Sequence, residues 1–197
     1  MVQLLSFDIG IKNMAYCFVK ISNDNKENIS FIDLNKINLN LGKKANIQSI
    51  IDETIEFLDN LINQELSSFI DINDKLIILI ECQMTSIMKT IQTTINTYFK
   101  MLNRYESYLI DTIYLSPKHK LNIINKYQDK IVNNSYKQNK IDAIYFCEFL
   151  LENTYKNKDI GIYKNKFIDT YRNLKKKDDI SDAFLMIIYY YEIIILS

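Results

Sequence analysis

The chain opens with an apolar run that ends in one carboxylate and a glycine, Leu4-Leu5-Ser6-Phe7-Asp8-Ile9-Gly10. Such a run is typical of a strand at the centre of a sheet. Because an ionised aspartate is rarely buried without a partner, Asp8 is expected at the end of this strand, facing a cleft. Gly10 allows the backbone to turn away sharply there. Aspartate is also common in turns, so Asp8 needs other acids nearby to indicate a site.

A second buried strand delivers an acid in the same way. The β-branched run Leu76–Ile80 ends in Glu81. Two further acids, Asp179 and Asp182, stand at i and i+3 near the start of the last predicted helix, Asp178–Leu196, and therefore share one helix face. Acids at a helix start are also favoured as N-caps and by the helix dipole, an interpretation that fits Asp179 better than Asp182.

If these four carboxylates converge, their mutual repulsion requires a cation. Hard oxygen ligands favour Mg²⁺, with Mn²⁺ as the second choice. Structural zinc is excluded, since the chain has no CxxC pair and one histidine, His119. Two such ions about 3.5–4 Å apart can activate a water and stabilise a leaving oxygen. The pattern therefore indicates phosphoryl-transfer chemistry without naming the substrate.

The rest of the chain predicts an α/β domain with a mixed sheet. Neither a linker nor an internal repeat divides it, so residues 1–197 are expected to form a single domain. Beyond the runs already described, the patterns predict two strands, Met14–Ile21 and Ile29–Ile37, and then a helix of about twenty residues that begins at Ile47 and is capped by Asn46. Further along, they predict a helix at Thr85–Arg104, a strand at Tyr108–Leu115 and a helix at Ile141–Leu151.

Charge and cysteine usage narrow the function classes. The net charge is zero, which argues against a protein that coats nucleic acid non-specifically. Residues 1–80 carry 7 lysines and 11 acids, whereas residues 81–197 carry 17 Lys and Arg and 13 acids, so the second half is basic. Cys17, Cys82 and Cys147 are predicted to be reduced core residues of an intracellular protein. The apolar segment Ala183–Leu196 is too short for a membrane span and is expected to be a buried helix.

Three motifs carry a family resemblance: Asp8-Ile9-Gly10, Ile80-Glu81-Cys82-Gln83 and Asp179-Ile180-Ser181-Asp182-Ala183. In this order they resemble the RuvC-type Holliday-junction resolvases of the RNase H-like (retroviral-integrase-like) superfamily, and most closely the poxvirus branch. The resemblance implies an RNase H-like fold, a five-stranded mixed sheet flanked by helices, and a homodimer that nicks four-way DNA junctions symmetrically. Asp8, Glu81, Asp179 and Asp182 would then be the metal-binding acids.

The same resemblance implies lysines between the second and third motifs. Lys118 matches one, and Lys140 matches the other, with Lys137 as an alternative because the register is open. The residues agree, since the segment 118–140 contains six lysines and one acid, a composition suited to DNA phosphates. Lys118, Lys120, Lys137 and Lys140 are therefore candidate DNA-binding residues. A solvated basic surface is the alternative, and His119 is expected at the surface.

The sequence departs from the bacterial members of this family. The segment around its lysines lacks their glycines, and Ile9 rather than proline follows Asp8. The aromatic and basic stretch 163–177 has two interpretations: a surface that contacts DNA, or aromatic residues that pack in the core. The second is slightly favoured.

The function predicted from these features is Mg²⁺-dependent, structure-selective cleavage of branched DNA, an activity of DNA recombination and repair. In a poxvirus it would resolve concatemeric replication intermediates in the host cytoplasm. The alternatives are another metal-dependent nuclease of the superfamily, acting on RNA–DNA hybrids or as an exonuclease, and a non-catalytic scaffold for branched DNA. Sugar kinases and actin-like ATPases share the D-x-G strand end, but they need glycine-rich phosphate loops that this chain lacks.

Overall fold

A computed structural model describes residues 1–25, 28–39, 41, 46–119, 122–123, 136–155 and 164–197. Five strands form one sheet in the order β3-β2-β1-β4-β5. The first three strands pair antiparallel, while β4 pairs parallel to β1 and to β5. This arrangement confirms the predicted five-stranded mixed sheet. The strands are β1 Val2–Asp8, β2 Met14–Ile21, β3 Ile29–Ile37, β4 Lys75–Glu81 and β5 Ile110–Leu115.

The helices of the described residues cover both faces of this sheet. They are α1 Ile47–Asn60, α2 Ser86–Tyr105, α3 Tyr136–Phe149, α4 Lys164–Asn173 and α5 Asp178–Tyr190. Single π-helical turns extend three of them, namely Leu61–Glu65 after α1, Leu150–Thr154 after α3 and Tyr191–Ile195 after α5. The predicted cap of α1 is confirmed, since the Asn46 side chain accepts a hydrogen bond from the Ser49 N–H at 2.8 Å.

Strand alternation separates two hydrophobic cores. Leu5 and Phe7 of β1 face α1 and α2, whereas Leu4 and Ser6 face α5. Helix α5 lies directly on β1 and β2, with α3 against α5 and α4 against β3. Residues Ala183–Ile188 of α5 are at most 1% exposed, so the first part of the apolar segment is buried as expected, whereas Ile194 and Leu196 near its end are exposed. None of the helices in the described part of the chain is both long and apolar enough to cross a membrane.

Two helix predictions need correction. Helix α4 lies in the stretch 163–177, for which no helix was predicted. Its Phe167 and Tyr171, one turn apart, are each 1% exposed, so this stretch supplies packing aromatics, as slightly favoured. Helix α3 begins at Tyr136, five residues before the predicted start, because its polar first turns are stabilised by the Gln138–Asp142 hydrogen bond at 2.7 Å and by an ion pair of Lys140.

The cysteine prediction is wrong at one position. All three cysteines are free, and Cys17 and Cys147 are buried as expected. Cys82 is partly exposed instead, since it lies just beyond Glu81, the last residue of β4.

Candidate active site

Asp8 and Glu81 end neighbouring parallel strands. The register pairs Phe7 with Ile80, so one step further along both strands places Asp8 beside Glu81. Side chains alternate along a strand, so both acids point to the face on which Leu4 and Ile77 pack, the face covered by α5. Asp8 is 8% exposed and Glu81 is 7% exposed. The sheet therefore brings two carboxylates together at the carboxyl end of β1 and β4.

A buried hydrogen bond docks the start of α5 onto this edge. The Ser6 hydroxyl donates to the Ala183 carbonyl at 2.8 Å. Ser6 lies two residues before Asp8 on the same face of β1, and Ala183 directly follows Asp182. The third motif is thereby held next to the first, although they stand at opposite ends of the sequence.

Asp178, the first residue of α5, is buried and paired with two lysines. Its carboxylate contacts the ammonium of Lys140 at 2.5 Å and that of Lys176 at 3.4 Å. Burial raises the pKa of Asp178, but the two ammonium groups outweigh that effect and hold its pKa below the usual value. Lys140, predicted to contact DNA, therefore also ties α3 to the start of α5.

Asp179 also faces two lysines. Its carboxylate accepts a hydrogen bond from Lys176 at 2.9 Å and lies 3.6 Å from the ammonium of Lys36 on β3. The hydrogen bond to Asp179 raises the pKa of Lys176 above its ordinary value. Asp179, the first acid of the third motif, is thus covered by positive charge from β3 and from the loop before α5.

The donor set fits a hard divalent cation, because carboxylate oxygens are the ligands that Mg²⁺ prefers. Across the described ranges, however, no three His, Cys, Asp or Glu side chains already stand together as a metal-binding group. Two of these acids already have partners: Gln83 donates to Glu81 at 2.9 Å, and Asp179 lies 2.9 Å from Lys176 and 3.6 Å from Lys36. A cation would have to replace these partners. Metal binding by Asp8, Glu81, Asp179 and Asp182 stays a prediction.

The predicted basic residues are only partly within the described chain. Lys118 is exposed in a helical turn just after β5, close to the acid edge where that strand ends. Neighbouring His119 is half-buried rather than a free surface residue, because its ring stacks on Tyr189 at a centroid distance of 4.5 Å. Lys120 and the side chain of Lys137 lie outside the described residues.

Comparison with known proteins identifies the fold. No protein-family model matches this sequence, and no curated protein sequence matches it. Among solved structures, the yeast mitochondrial Holliday junction resolvase matches with a TM-score of 0.67 and 18% identity over 95% of this chain and 77% of that chain. The fowlpox virus Holliday junction resolvase matches with a TM-score of 0.59 and 20% identity over 98% of this chain and 99% of that chain.

This chain has the resolvase fold. The fowlpox virus resolvase in complex with its substrate Holliday junction DNA also matches, with a TM-score of 0.55 and 17% identity over 96% of this chain and 97% of that chain. The predicted resemblance and the RNase H-like fold class are thereby confirmed. At identities of 17–20%, this structural similarity establishes the fold alone.

Sequence reasoning missed three residues at the acid edge of the resolvase fold. Lys36 stands in a strand whose partners could not be known, and Asp178 was considered only as the first residue of the last predicted helix. Gln83 was quoted within a motif without a role. The available signal was weak: two consecutive acids at Asp178 and Asp179 that follow a run of lysines indicate ion pairing within that loop.

Proposed function

We propose that this protein is a divalent-metal-dependent, structure-selective endonuclease that cleaves four-way DNA junctions by symmetric paired nicks. The observation that carries the proposal is the placement of three motifs from distant parts of the chain at one edge of a resolvase-type sheet. Asp8 and Glu81 come from adjacent strands, and the hydrogen bond between Ser6 and Ala183 sets the third motif beside them.

Asp8, Glu81, Asp179 and Asp182 would hold the metal, which is Mg²⁺ with Mn²⁺ as a substitute. Two bound ions would supply an activated water and stabilisation of the leaving oxygen in phosphodiester hydrolysis. The buried position of Asp8 and Glu81 strengthens their electrostatic interactions, because little water screens them. The rigid sheet holds both acids in place before the substrate arrives.

Lysines near the acids would bind the phosphate backbone. Lys118 is exposed next to the end of β5, and Lys140 reaches the start of α5. Lys120 and Lys137 complete the predicted basic segment. Contacts of this kind recognise the shape of a branched duplex and carry little base specificity.

Paired nicks require two active sites, and a homodimer supplies them. Helix α2 is available for this contact, since Met84, Ile87 and Met101 at or beside it are exposed apolar side chains. A groove of about 690 Å³ runs between α1 and α2, on the opposite face of the sheet from the acids. Sedimentation equilibrium of the wild-type protein and of Met101→Glu tests this part of the proposal, with a monomer expected for the variant.

The biological setting follows the resemblance to poxvirus resolvases. In a poxvirus, the enzyme would convert concatemeric or branched replication intermediates into unit genomes within the host cytoplasm.

The decisive experiment compares a labelled synthetic four-way junction with a linear duplex of the same sequence, with and without Mg²⁺. Asp8→Asn and Asp182→Asn remove one ligand each at nearly constant shape. Asp111→Asn is the matched control, because Asp111 is an exposed acid near the opposite end of the same sheet. We expect paired nicks in the junction alone, loss of at least about 100-fold in rate for the two site variants, and normal cutting by the control.

Other outcomes point elsewhere. Junction binding without cutting would favour a non-catalytic scaffold. Cleavage of an RNA–DNA hybrid or stepwise degradation from an end would place the protein in another branch of the superfamily. Full activity of Asp8→Asn and Asp182→Asn would contradict the assigned metal site.

A further inference from the structure

Lys36 belongs to a row of side chains that crosses the sheet at the carboxyl end of β1. Lys36 is paired with Ala15, and Ala15 is paired with Asp8. Directly opposed residues point to the same face of a sheet, so Lys36, Asp8 and Glu81 all face the start of α5. With neighbouring strands about 4.8 Å apart, the backbones of Lys36 and Asp8 are about 10 Å apart.

Ala15 keeps the space between these two residues open. It is the smallest side chain in the row and is fully buried. A long lysine chain can therefore extend over it toward the acids. A large residue at this position would separate Lys36 from the site.

The Lys36 ammonium is held at the site by one carboxylate. It lies 3.6 Å from Asp179, and the two side chains are 20% and 13% exposed. Within the described part of the chain, Asp179 is the carboxylate that forms an ion pair with Lys36. Lys176, by contrast, contacts both Asp178 and Asp179. A cation bound by Asp179 would therefore take from Lys36 its carboxylate partner. Lys176 would still have Asp178.

We propose that Lys36 is a phosphate-binding residue of this active site and that Asp179 pairs with its ammonium in the metal-free protein. If Asp179 instead held a metal, the Lys36 ammonium would face the same cleft without its partner. A DNA phosphate next to the one being cleaved is the ligand that fits, since lysine binds phosphate as a point charge. The inference rests on the proposed nuclease function. It assigns a positively charged side chain to the β3 side of the acids, opposite Lys118 near β5.

The test uses the full-length protein with Lys36→Gln, Lys36→Arg and the control Lys75→Gln. Lys75 is the first residue of β4 and pairs with Asp111 at 2.7 Å, so its loss removes the same charge at the other end of the sheet. Three quantities are measured: Mn²⁺ affinity of the free protein by calorimetry, junction affinity in Ca²⁺ at several salt concentrations, and the single-turnover cleavage rate.

Lys36→Gln is expected to bind Mn²⁺ more tightly, because only Lys176 and no longer Lys36 competes for Asp179, while it cleaves about 10-fold more slowly. The salt dependence of junction binding should fall by about one phosphate contact. Lys36→Arg should restore most of the cleavage rate, and Lys75→Gln should behave as wild type. A residue that only stabilised α5 would not tighten metal binding and slow cleavage together.

Cleavage and junction binding that are unchanged in Lys36→Gln, with an active wild type, would overturn this inference and leave the proposed function intact. Slower cleavage accompanied by weaker Mn²⁺ binding would also overturn it, since Lys36 would then support the metal site indirectly. A wild-type protein that neither binds nor cuts junctions would overturn the proposed function and this inference with it.

Discussion

Replacing Ser6 with alanine tests whether one buried hydrogen bond aligns the two ends of the chain at the acid edge. Ser6 is fully buried, and its hydroxyl donates to the Ala183 carbonyl at 2.8 Å across 177 residues of sequence. Its oxygen also lies 3.4 Å from the Cys17 carbonyl, a longer and weaker contact. The bond to Ala183 is therefore the one whose loss matters.

The expected cost is about 1 kcal/mol of the free energy of unfolding. Ala183 lies inside α5, where a backbone N–H of the next turn also reaches its carbonyl, so no acceptor is left unsatisfied. The larger cost of an orphaned buried group does not apply. At a urea dependence of about 2 kcal/mol per molar, the unfolding midpoint should fall by about 0.5 M.

Urea unfolding followed by circular dichroism measures this change. The control is Ser68→Ala, an exposed serine, which should stay within about 0.5 kcal/mol of wild type. Because Ser6 and Ala183 flank Asp8 and Asp182, the loosened docking should also raise the Mg²⁺ concentration needed for half-maximal junction cleavage. The two readouts together separate a loss of stability from a loss of alignment.

An unchanged unfolding midpoint would show that the hydroxyl contributes nothing to the docking of α5. A midpoint that falls as expected without any change in the Mg²⁺ requirement would show that this bond stabilises the fold but does not align the acids. Either result would refute part of the reasoning.

Two further predictions concern the core. Burial raises the pKa of Cys147 to about 12, and burial together with Cys147 raises the pKa of Cys17, so both thiols stay protonated at pH 8. A thiol-specific reagent at that pH should label Cys82 alone in the folded protein, and equal labelling of all three cysteines would contradict the fold. Phe167→Ala should lower the free energy of unfolding by about 3–5 kcal/mol because its ring is buried in the core. Arg172→Ala, on the exposed side of the same helix, should lower it by under about 1 kcal/mol. Equal losses in urea unfolding would refute the packing of α4.

The strands were predictable because their signals are local. Met14–Ile21 and Ile29–Ile37 were predicted with the bounds that the structure has, and Asn46 was recognised as a cap from its own neighbourhood. The acids at strand ends follow from the same logic, since a carboxylate after a buried run has few places to lie. Helix α4 was missed because its helical signal is two aromatic residues within a lysine-rich stretch.

Local pattern alone therefore determined the five strands, most of the helices and which acids stand at the ends of β1 and β4. The tertiary structure decided what faces those acids. Lys36 reaches Asp179 only because β3 pairs with β2, β2 pairs with β1, and α5 docks on the same face. Strand order and register depend on contacts between residues far apart in the chain, and no local periodicity encodes which strand pairs with which.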